Sequence, residues 1–322
     1  MGALLEVQDL RMHIFARRGV VKAVDGVSFS VDEGETFGLV GESGCGKTMT
    51  CLSILKLVPQ PGGRIVDGRI IFDGEDIVPK SEREMRRIRG RRISMILQDP
   101  MTSLNPAYTI GDQVGEAILI HQKMKRRTLR ERVIEALRLV KIPAAEMRLR
   151  DYPHQMSGGM RQRVTGAIAL GTEPSLLIAD EPTTSLDVTI QAQYLNLLKE
   201  VQLRARVAMI FVTHDLGIVA RICDKVAVMY AGRIVEEAGT RELFNNPRHP
   251  YTAALMGCLP KLEAGQERLA SIPGQPPELS DLPIGCSFAP RCPESMDICS
   301  HEYPRETAVS DGHRVNCWLM EG

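Results

Sequence analysis

The chain has 322 residues, of which 43% are hydrophobic and 25% are charged, a composition typical of water-soluble proteins. This length suffices for one large domain with an appendage or for two domains of common size. Lys and Arg together number 40, as do Asp and Glu, so net charge favours neither nucleic acid nor an anionic membrane surface as a partner. No apolar run is long enough to cross a bilayer, and the first residues carry no basic or apolar signal segment. We therefore expect a cytosolic protein whose association with a membrane is peripheral.

The N-terminal part of the chain predicts mostly strands. Apolar residues alternate in Leu5–Leu10 and again in Val27–Val31, and Thr36–Val40 reads as a short buried strand. A glycine-rich loop follows that strand, and the next segment predicts a helix over Lys47–Leu57 that ends before Pro59. Further strands are predicted at Arg69–Phe72 and Ile93–Leu97.

The middle of the chain, from about residue 100 to about residue 160, is predicted to be helical, with apolar spacing of three or four residues in Ile110–His121 and Leu129–Val140. From Ser175 onward strands and helices alternate, which indicates a largely parallel, doubly wound sheet. The predicted elements of this part are strands at Leu176–Ala179 and Ala208–Val212 and helices at Ile190–Arg204 and Leu216–Ile222. After about residue 245 prolines and glycines multiply, so we predict a domain boundary there.

The glycine-rich loop Gly41-Glu42-Ser43-Gly44-Cys45-Gly46-Lys47-Thr48 is a complete phosphate-binding motif. Backbone N–H groups of such a loop wrap phosphates, and the helix that starts at Lys47 directs its positive dipole end at the anion. Lys47 is predicted to reach the β- and γ-phosphates, and the Thr48 hydroxyl is predicted to bind Mg²⁺. A turn without function would not match all eight positions between a strand and a helix.

Two later segments complete a pattern for nucleotide hydrolysis. The apolar strand before Asp180 and Glu181 ends in two carboxylates, of which the first can hold Mg²⁺ through water and the second can act as general base. Ser157-Gly158-Gly159 reads as a capped helix start that allows close approach of an anion. Each segment alone is also compatible with a solvated turn or an ordinary helix cap.

The order and approximate spacing of these motifs resemble the ATP-binding cassette (ABC) ATPases over residues 1–245. The resemblance implies an α/β fold: an ABC-type P-loop ATPase with a mostly parallel sheet core, an antiparallel β subdomain and a helical subdomain, followed by a small C-terminal extension. It implies ATP-binding roles for Phe15, Gly41, Ser43, Gly44, Cys45, Gly46, Lys47, Thr48 and Met49. For Phe15, the candidate that stacks on adenine, a core or loop role is the alternative.

The same resemblance implies the remaining catalytic roles. Gln98 would touch Mg²⁺ and the attacking water and couple to a membrane partner, His214 would contact the γ-phosphate, and Asp187 would lie across a dimer interface. The Mg²⁺ ligands would be Thr48, Gln98 and Asp180. The residues that bind the γ-phosphate of ATP held by an opposite subunit would be Ser157, Gly158, Gly159 and Met160.

Two residues depart from the family's signature, which usually has Leu where this chain has Met156 and Gln where it has Met160. The first replacement is a mild apolar exchange. The second removes a side-chain amide, so the half-site that Met160 completes is expected to be less active. The backbone contacts and the Ser157 hydroxyl remain.

Three segments resemble the peptide and nickel importer branch of the family: Gln98–Pro106, Tyr152–Gln155 and Asn246–Thr252. With them the resemblance covers the whole chain and indicates the "D" type of ATPase subunit. It implies a cytoplasmic-face ATPase that powers import of di- or oligopeptides with a second, "F"-type ATPase chain, two permease subunits and an extracytoplasmic peptide-binding protein. Nickel, glutathione or an oligosaccharide are alternative cargoes.

Four of the eight cysteines crowd the last 37 residues: Cys286, Cys292, Cys299 and Cys317. In a cytosolic chain this crowding suggests a metal site more than disulfides. The gaps are wider than the two to four residues usual between zinc ligand pairs, and wide spacing suits a [4Fe–4S] cluster. The resemblance implies such a cluster in the extension, residues 246–322. Structural zinc, two disulfides and four reduced thiols are the alternatives.

Two functions of other classes are alternatives. DNA-repair or chromosome-structuring ATPases share the motif set, but they insert long coiled coils or zinc modules between Thr48 and Ser157. Here only 108 residues intervene, without sustained heptads, and no basic stripe indicates a nucleic-acid surface. A redox sensor based on the cluster is the other alternative, and it would need a solvent-accessible cluster.

Overall fold

The structure is a computed structural model that describes residues 2–17, 19–97, 103–184, 186–259 and 271–321. The chain divides into two compact units. Unit 1 comprises residues 1–31, 36–78 and 212–322, and unit 2 comprises residues 32–35 and 79–211. Within the described ranges, no helix combines the length and the apolar character needed to span a bilayer.

Strands and helices are numbered along the chain. The strands are β1 (Leu5–Ala16), β2 (Gly19–Val31), β3 (Thr36–Val40), β4 (Gly63–Phe72), β5 (Glu75–Asp76), β6 (Ile93–Ile96), β7 (Leu176–Asp180), β8 (Ala208–Thr213), β9 (Lys225–Tyr230), β10 (Arg233–Gly239), β11 (Glu306–Ser310) and β12 (His313–Asn316). The helices are α1 (Lys47–Ile54), α2 (Glu82–Ile88), α3 (Ile110–Leu119), α4 (Arg126–Leu139), α5 (Ala145–Arg148), α6 (Gly158–Leu170), α7 (Val188–Ala205), α8 (Leu216–Ile222), α9 (Thr240–Asn245) and α10 (Pro250–Gly257).

Unit 1 contains an antiparallel sheet in the order β2-β1-β4-β5. Buried positions recur at a spacing of two along its strands, apart from register shifts; in β1, Leu5 and Val7 are buried before such a shift, and Leu10 and Met12 are buried after it. This period of two is what one covered sheet face requires. The predicted antiparallel β subdomain is therefore present in unit 1.

A second set of strands in unit 1 follows the order β11-β12-β10-β9-β3. Strands β3 and β9 are parallel, whereas β9, β10, β12 and β11 pair antiparallel in turn. All five residues of β3 are buried, as expected for a strand covered on both faces. This strand delivers the chain into the glycine-rich loop and helix α1.

Unit 2 contains β6, β7 and most of β8, in the order β8-β7-β6, together with helices α2 to α7. Strands β6 and β7 are parallel, and every residue of β7 is buried. Helices α3 and α4 confirm the predicted helical segments between residues 100 and 160. Both helices turn their apolar residues inward, among them Ile110, Val114, Ile118, Val133 and Leu137.

Helix α1 ends earlier than the predicted Leu57, although no proline intervenes. Lys56 adopts a left-handed backbone conformation with φ of 50°, and the Leu57 N–H donates to the Leu52 carbonyl at 2.8 Å. This is the hydrogen-bond pattern of a helix C-terminus closed by a left-handed residue. No sequence pattern predicts a left-handed backbone conformation at this lysine.

The tail beyond residue 245 is more regular than its proline and glycine content suggests. Helix α10 begins at Pro250, and β12 pairs with β10 through Glu236 opposite Val315. All tail residues belong to unit 1, together with strands β9 and β10. The boundary at residue 245 between an ATPase domain and an extension stays a prediction.

Candidate functional site

The predicted site residues occur in both units, and each unit contributes a self-contained set. In unit 1 the glycine-rich loop lies between β3 and α1. A side chain at Gly46, where φ is 110°, would place Cβ 2.2 Å from the Ala23 carbonyl oxygen. At Gly41 a Cβ would lie 2.2 Å from the Met229 carbonyl oxygen. Only glycine satisfies both the backbone angles and the close packing at these two positions.

Lys47 is folded into the loop that precedes it. Its side-chain Nζ donates to the carbonyl oxygens of Gly41 at 2.7 Å and Glu42 at 3.0 Å, and the residue is only 5% exposed. Ser43 and Gly44 are exposed at the tip of the loop, whereas Cys45 is buried and burial raises the pKa of its thiol despite the nearby Lys47 ammonium. A positive charge thus lies inside a turn with accessible backbone groups, which suits a phosphate.

Phe15 lies near the end of β1 and is 46% exposed. The Arg64 guanidinium carbon lies 5.7 Å from the centre of its ring, and the His13 ring centre is 6.5 Å away. One part of the ring is therefore accessible to a ligand. Stacking of Phe15 on adenine stays a prediction.

His214 follows β8 and is exposed in unit 1. The residues on either side of it are held by hydrogen bonds: the Asp215 N–H donates to Thr213 Oγ1 at 3.0 Å, and Asp215 Oδ1 accepts from the Gly217 N–H at 2.8 Å. Asp215 is thereby the N-cap of α8. The cap fixes the backbone that presents the imidazole.

In unit 2 the two carboxylates follow β7 in different environments. Asp180 is the last residue of the strand and is 2% exposed. Glu181 adopts a left-handed backbone with φ of 45°, and Thr184 Oγ1 donates to its Oε2 at 3.1 Å. A non-glycine residue in this region costs free energy, so the surrounding structure must hold it there.

The Ser-Gly-Gly segment begins helix α6, as predicted. The Met160 N–H donates to Ser157 Oγ at 3.4 Å, which makes Ser157 the N-cap. Around Gly158 there is open space, whereas a Cβ at Gly159 would lie 2.6 Å from Ile190 Cγ2. Met156, the apolar replacement before the cap, is buried at 3% exposure.

Asp187 is exposed and is the N-cap of α7, because its Oδ1 accepts from the Ile190 N–H at 3.0 Å. Ile190 is also the residue that contacts Gly159. The helix start at Ser157 and the helix start at Asp187 are therefore packed together in unit 2. Gln98, to which the sequence assigns a catalytic and Mg²⁺-binding role, lies outside the described residues.

The four C-terminal cysteines line one small cavity in unit 1, together with Phe288, Trp318 and His249. All four are free thiols, so the alternative of two disulfides is not what the structure shows. Burial raises the pKa of Cys286, Cys292 and Cys317, to about 11 for Cys317, and the other thiols add to this effect. Over the described ranges, no group of three or more His, Cys, Asp or Glu residues is arranged to hold a single metal ion.

Sequence reasoning missed two residues beside the site. Arg291 forms an ion pair with Glu42 of the phosphate loop, and the Glu42 N–H donates to the Tyr251 hydroxyl at 3.0 Å. Arg291 and Glu42 are 249 positions apart in the chain, so no local sequence pattern predicts their ion pair. The one available signal was the place of Arg291 next to Cys292.

Two protein-family models match the chain. One, described as "ABC transporter", matches residues 24–184, and the other, described as "Oligopeptide/dipeptide transporter, C-terminal region", matches residues 235–299. The second match covers part of the segment in which the sequence predicts an extension.

Similar curated proteins match 98% or more of the chain. The chain is 52% identical to the dipeptide transport ATP-binding protein DppD of Bacillus subtilis, covering 100% of the chain and 96% of the relative. It is 50% identical to the B. subtilis oligopeptide transport ATP-binding protein OppD, covering 98% and 89%, and 48% identical to Escherichia coli DppD, covering 98% and 96%.

Solved structures confirm the predicted fold class. A dimeric structure of MJ0796, described as a bacterial ABC transporter cassette, has a TM-score of 0.66 at 25% identity and covers 74% of this chain and 99% of that chain. The structure of cbiO1 from Clostridium perfringens has a TM-score of 0.66 at 28% identity, with 76% and 92% covered.

Proposed function

The chain belongs to the ABC transporter family and is one of its ATPases, and we propose that it powers the import of di- or oligopeptides through a pair of membrane permeases. Peptides are proposed as the cargo because residues 235–299 match the C-terminal region of oligopeptide and dipeptide transporters. Relatives that share the whole chain at about half identity are named for dipeptide or oligopeptide transport. The phosphate loop around Lys47 supports ATP as the energy source.

In the proposed chemistry each residue has one task. The loop N–H groups and the Lys47 ammonium neutralise the β- and γ-phosphates of ATP. Glu181 takes the proton of the attacking water while the bond from the γ-phosphorus to the bridging oxygen of ADP breaks. His214 contacts the γ-phosphate and Phe15 stacks on adenine. The Glu181 turn, with its positive φ and its Thr184 hydrogen bond, supports the assignment of the base.

Mg²⁺ is the metal that this chemistry requires. A hydroxyl, a carboxylate and an amide oxygen are hard ligands of the type that Mg²⁺ prefers. We propose that Thr48, Asp180 and Gln98 hold it, with Asp180 acting through water. When bound there, Mg²⁺ would supply positive charge to the phosphates as negative charge develops on them.

We further propose that hydrolysis requires a second ATPase subunit. Ser157 and Gly158 are exposed at the start of α6, and Asp187 is exposed at the start of α7, so these groups are free to meet another chain. Binding of ATP between Ser157–Met160 of one subunit and the phosphate loop of the other would close the dimer, and closure would move the permeases. In a heterodimer with an "F"-type chain, the half-site containing Met160 is the less active one.

We propose that the four cysteines of this cavity hold a structural [4Fe–4S] cluster. Four free thiols from separate turns face one space, and the His249 ring, 1% exposed, lines the same space. The Tyr251 N–H donates to His249 Nδ1 at 3.0 Å, so the ring proton is on Nε2, which is buried and has no partner. A sulfide-rich group would accept that hydrogen bond. When bound, the cluster would cross-link chain segments that contain little regular structure.

Partners and location follow from the proposed function. The subunit would lie on the cytoplasmic face of the membrane with two permeases, and an extracytoplasmic binding protein would deliver the peptide. Nickel, glutathione and oligosaccharides are the alternative cargoes. The experiment is ATPase activity of the complex purified with its permeases and binding protein, in the presence of dipeptides, longer peptides or nickel. Stimulation by peptides supports the proposal. Stimulation by nickel alone would show that the cargo assignment is wrong and that the ATPase assignment is right.

A further inference from the structure

An ion pair joins the phosphate loop to the C-terminal tail within unit 1. Arg291 Nη1 donates to Glu42 Oε2 at 2.7 Å, and Nη2 donates to Glu42 Oε1 at 3.0 Å. This is a two-pronged arrangement of guanidinium and carboxylate, which adds directional specificity to the charge attraction. The Arg291 side chain is 5% exposed and that of Glu42 is 28% exposed, so the pair is largely removed from water.

Further hydrogen bonds hold the guanidinium in this position. Its Nε donates to the Pro273 carbonyl at 2.9 Å, and Nη1 also donates to the Tyr230 hydroxyl at 3.2 Å. The Tyr230 ring lies 5.3 Å from the Phe288 ring, centre to centre. Contacts with the tail and with β9 therefore hold Arg291 in place independently of its ion pair with Glu42.

Glu42 is held at its backbone as well as at its carboxylate. Its N–H donates to the Tyr251 hydroxyl at 3.0 Å, and Tyr251 is fully buried in α10. Its carbonyl oxygen accepts from Lys47 Nζ at 3.0 Å. The residue that pairs with Arg291 therefore supplies one of the two carbonyl oxygens, beside that of Gly41, that position the phosphate-binding ammonium.

We propose that Arg291 is a positioning residue for ATP binding: through Glu42 it holds the phosphate loop in the conformation that places Lys47. The proposal rests on the ATP site proposed above. The tail thereby supports the nucleotide site of its own subunit, in addition to any structural role of the cysteines. The turn that carries Arg291 is closed by backbone hydrogen bonds on either side of it: the Ala289 N–H donates to the Cys286 carbonyl at 3.0 Å, and the Cys292 N–H donates to the Ala289 carbonyl at 3.2 Å.

The test is the affinity of the full-length chain for MgATP, with Lys47→Ala as the reference for loss of the site. We expect Arg291→Met and Glu42→Gln each to weaken binding by about tenfold or more, because a charged hydrogen-bonded pair is broken. The double variant should be no weaker than the weaker single variant, since both changes remove the same interaction. In the complex, KM for ATP should rise while kcat at saturating ATP changes by less than about threefold.

Arg314→Met is the matched control. Arg314, in the tail strand β12, pairs through Nη2 with the buried Glu237 of β10 at 2.8 Å, and its other ion-pair partner is Glu306 of the tail. The Arg314→Met variant should have a lower unfolding temperature and an unchanged affinity for ATP. If Arg291→Met and Glu42→Gln bind as tightly as the parent while Lys47→Ala does not, the inference is wrong and the ATP site stands. If Arg314→Met weakens binding equally, the effect is general destabilisation and the inference is also wrong. If Lys47→Ala binds normally, the proposed ATP site itself fails.

Discussion

Thr184 Oγ1 donates a hydrogen bond to Glu181 Oε2 at 3.1 Å, across a turn in which Glu181 has a φ of 45°. The carboxylate is therefore oriented by its own turn, directly after the buried Asp180. A base that is already oriented loses less entropy on reaching the transition state than a mobile one. The positive φ also explains why an apolar strand can end in two carboxylates with different surroundings.

Glu181→Gln is expected to abolish turnover while ATP still binds. The amide keeps the size of the side chain and an acceptor for Thr184 but cannot take a proton, and loss of a general base costs about 10²- to 10⁴-fold. Phosphate release by the complex measures turnover, and size-exclusion chromatography with ATP measures the closed dimer. The account predicts an ATP-trapped dimer. Turnover at the parent rate would show that Glu181 is not the base.

Gly159→Ala is expected to destabilise unit 2 by about 1–3 kcal/mol, because the new Cβ would lie 2.6 Å from Ile190 Cγ2 and overpacking has a cost of this size. Chemical denaturation of the full-length chain measures this loss. Gly158→Ala is the control, since its Cβ would enter open space. Adding Ile190→Ala should restore part of the lost stability. Equal stability of the two alanine variants would contradict the packing described for the two helix starts.

Asp25 gives a prediction for the pH dependence of stability. Burial alone would raise the pKa of this carboxyl, but hydrogen bonds from Arg233, with Nη2 at 2.6 Å, and the charge of Arg11 hold it below its usual range. A lowered carboxyl pKa stabilises the fold above the unfolded pKa, and this contribution is lost as pH falls through the folded pKa. Asp25 is only 3% exposed, so its partners lose a buried counter-charge when it is replaced.

Asp25→Asn should therefore lower the free energy of unfolding by about 2 kcal/mol at neutral pH, a discounted value because both arginines are partly exposed. The difference from the parent should shrink as pH is lowered from about 7 to about 3, because the unfolded parent chain takes up a proton on Asp25 at a higher pH than the folded chain, in which the pKa of this carboxyl is lowered. Urea unfolding at the two pH values measures it. A difference that is constant or grows on acidification would contradict the assignment.

Replacing one cavity cysteine should release the proposed cluster. Anaerobically purified parent protein is expected to contain about four iron atoms and four sulfides per chain, and Cys317→Ser should lose most of both. Cys258→Ser is the control, because Cys258 does not line the four-cysteine cavity. Metal analysis gives the answer directly. One zinc per parent chain, or no metal at all, would contradict the cluster.

Local features of this chain were largely predictable from sequence. The strand Thr36–Val40, the helix start after Ser157 and the helix Leu216–Ile222 have the predicted positions, because each rests on a cap or on a run of apolar residues. The hairpin of β11 and β12 was missed, since Glu306–Ser310 has no buried residue and its stability comes from pairing.

Contacts between residues far apart in the chain could not be predicted from local sequence patterns. The pairing of Arg291 with Glu42 joins positions 249 residues apart, and a positive φ at Glu181 belongs to a residue type that rarely adopts it. Both depend on the packed structure around them. The motif positions were predictable because the family pattern is contiguous at each site, whereas the contacts that support those motifs come from elsewhere in the chain.

The most direct test of the central claim is peptide uptake into vesicles by the complete complex. Proteoliposomes would contain the permeases and both ATPase chains, with the binding protein and a labelled dipeptide on the opposite side from MgATP. The account predicts uptake that requires MgATP on the side of this subunit and is lost in the Lys47→Ala and Glu181→Gln complexes. Uptake that persists in both variants, or no uptake of any peptide by an ATP-hydrolysing complex, would contradict it.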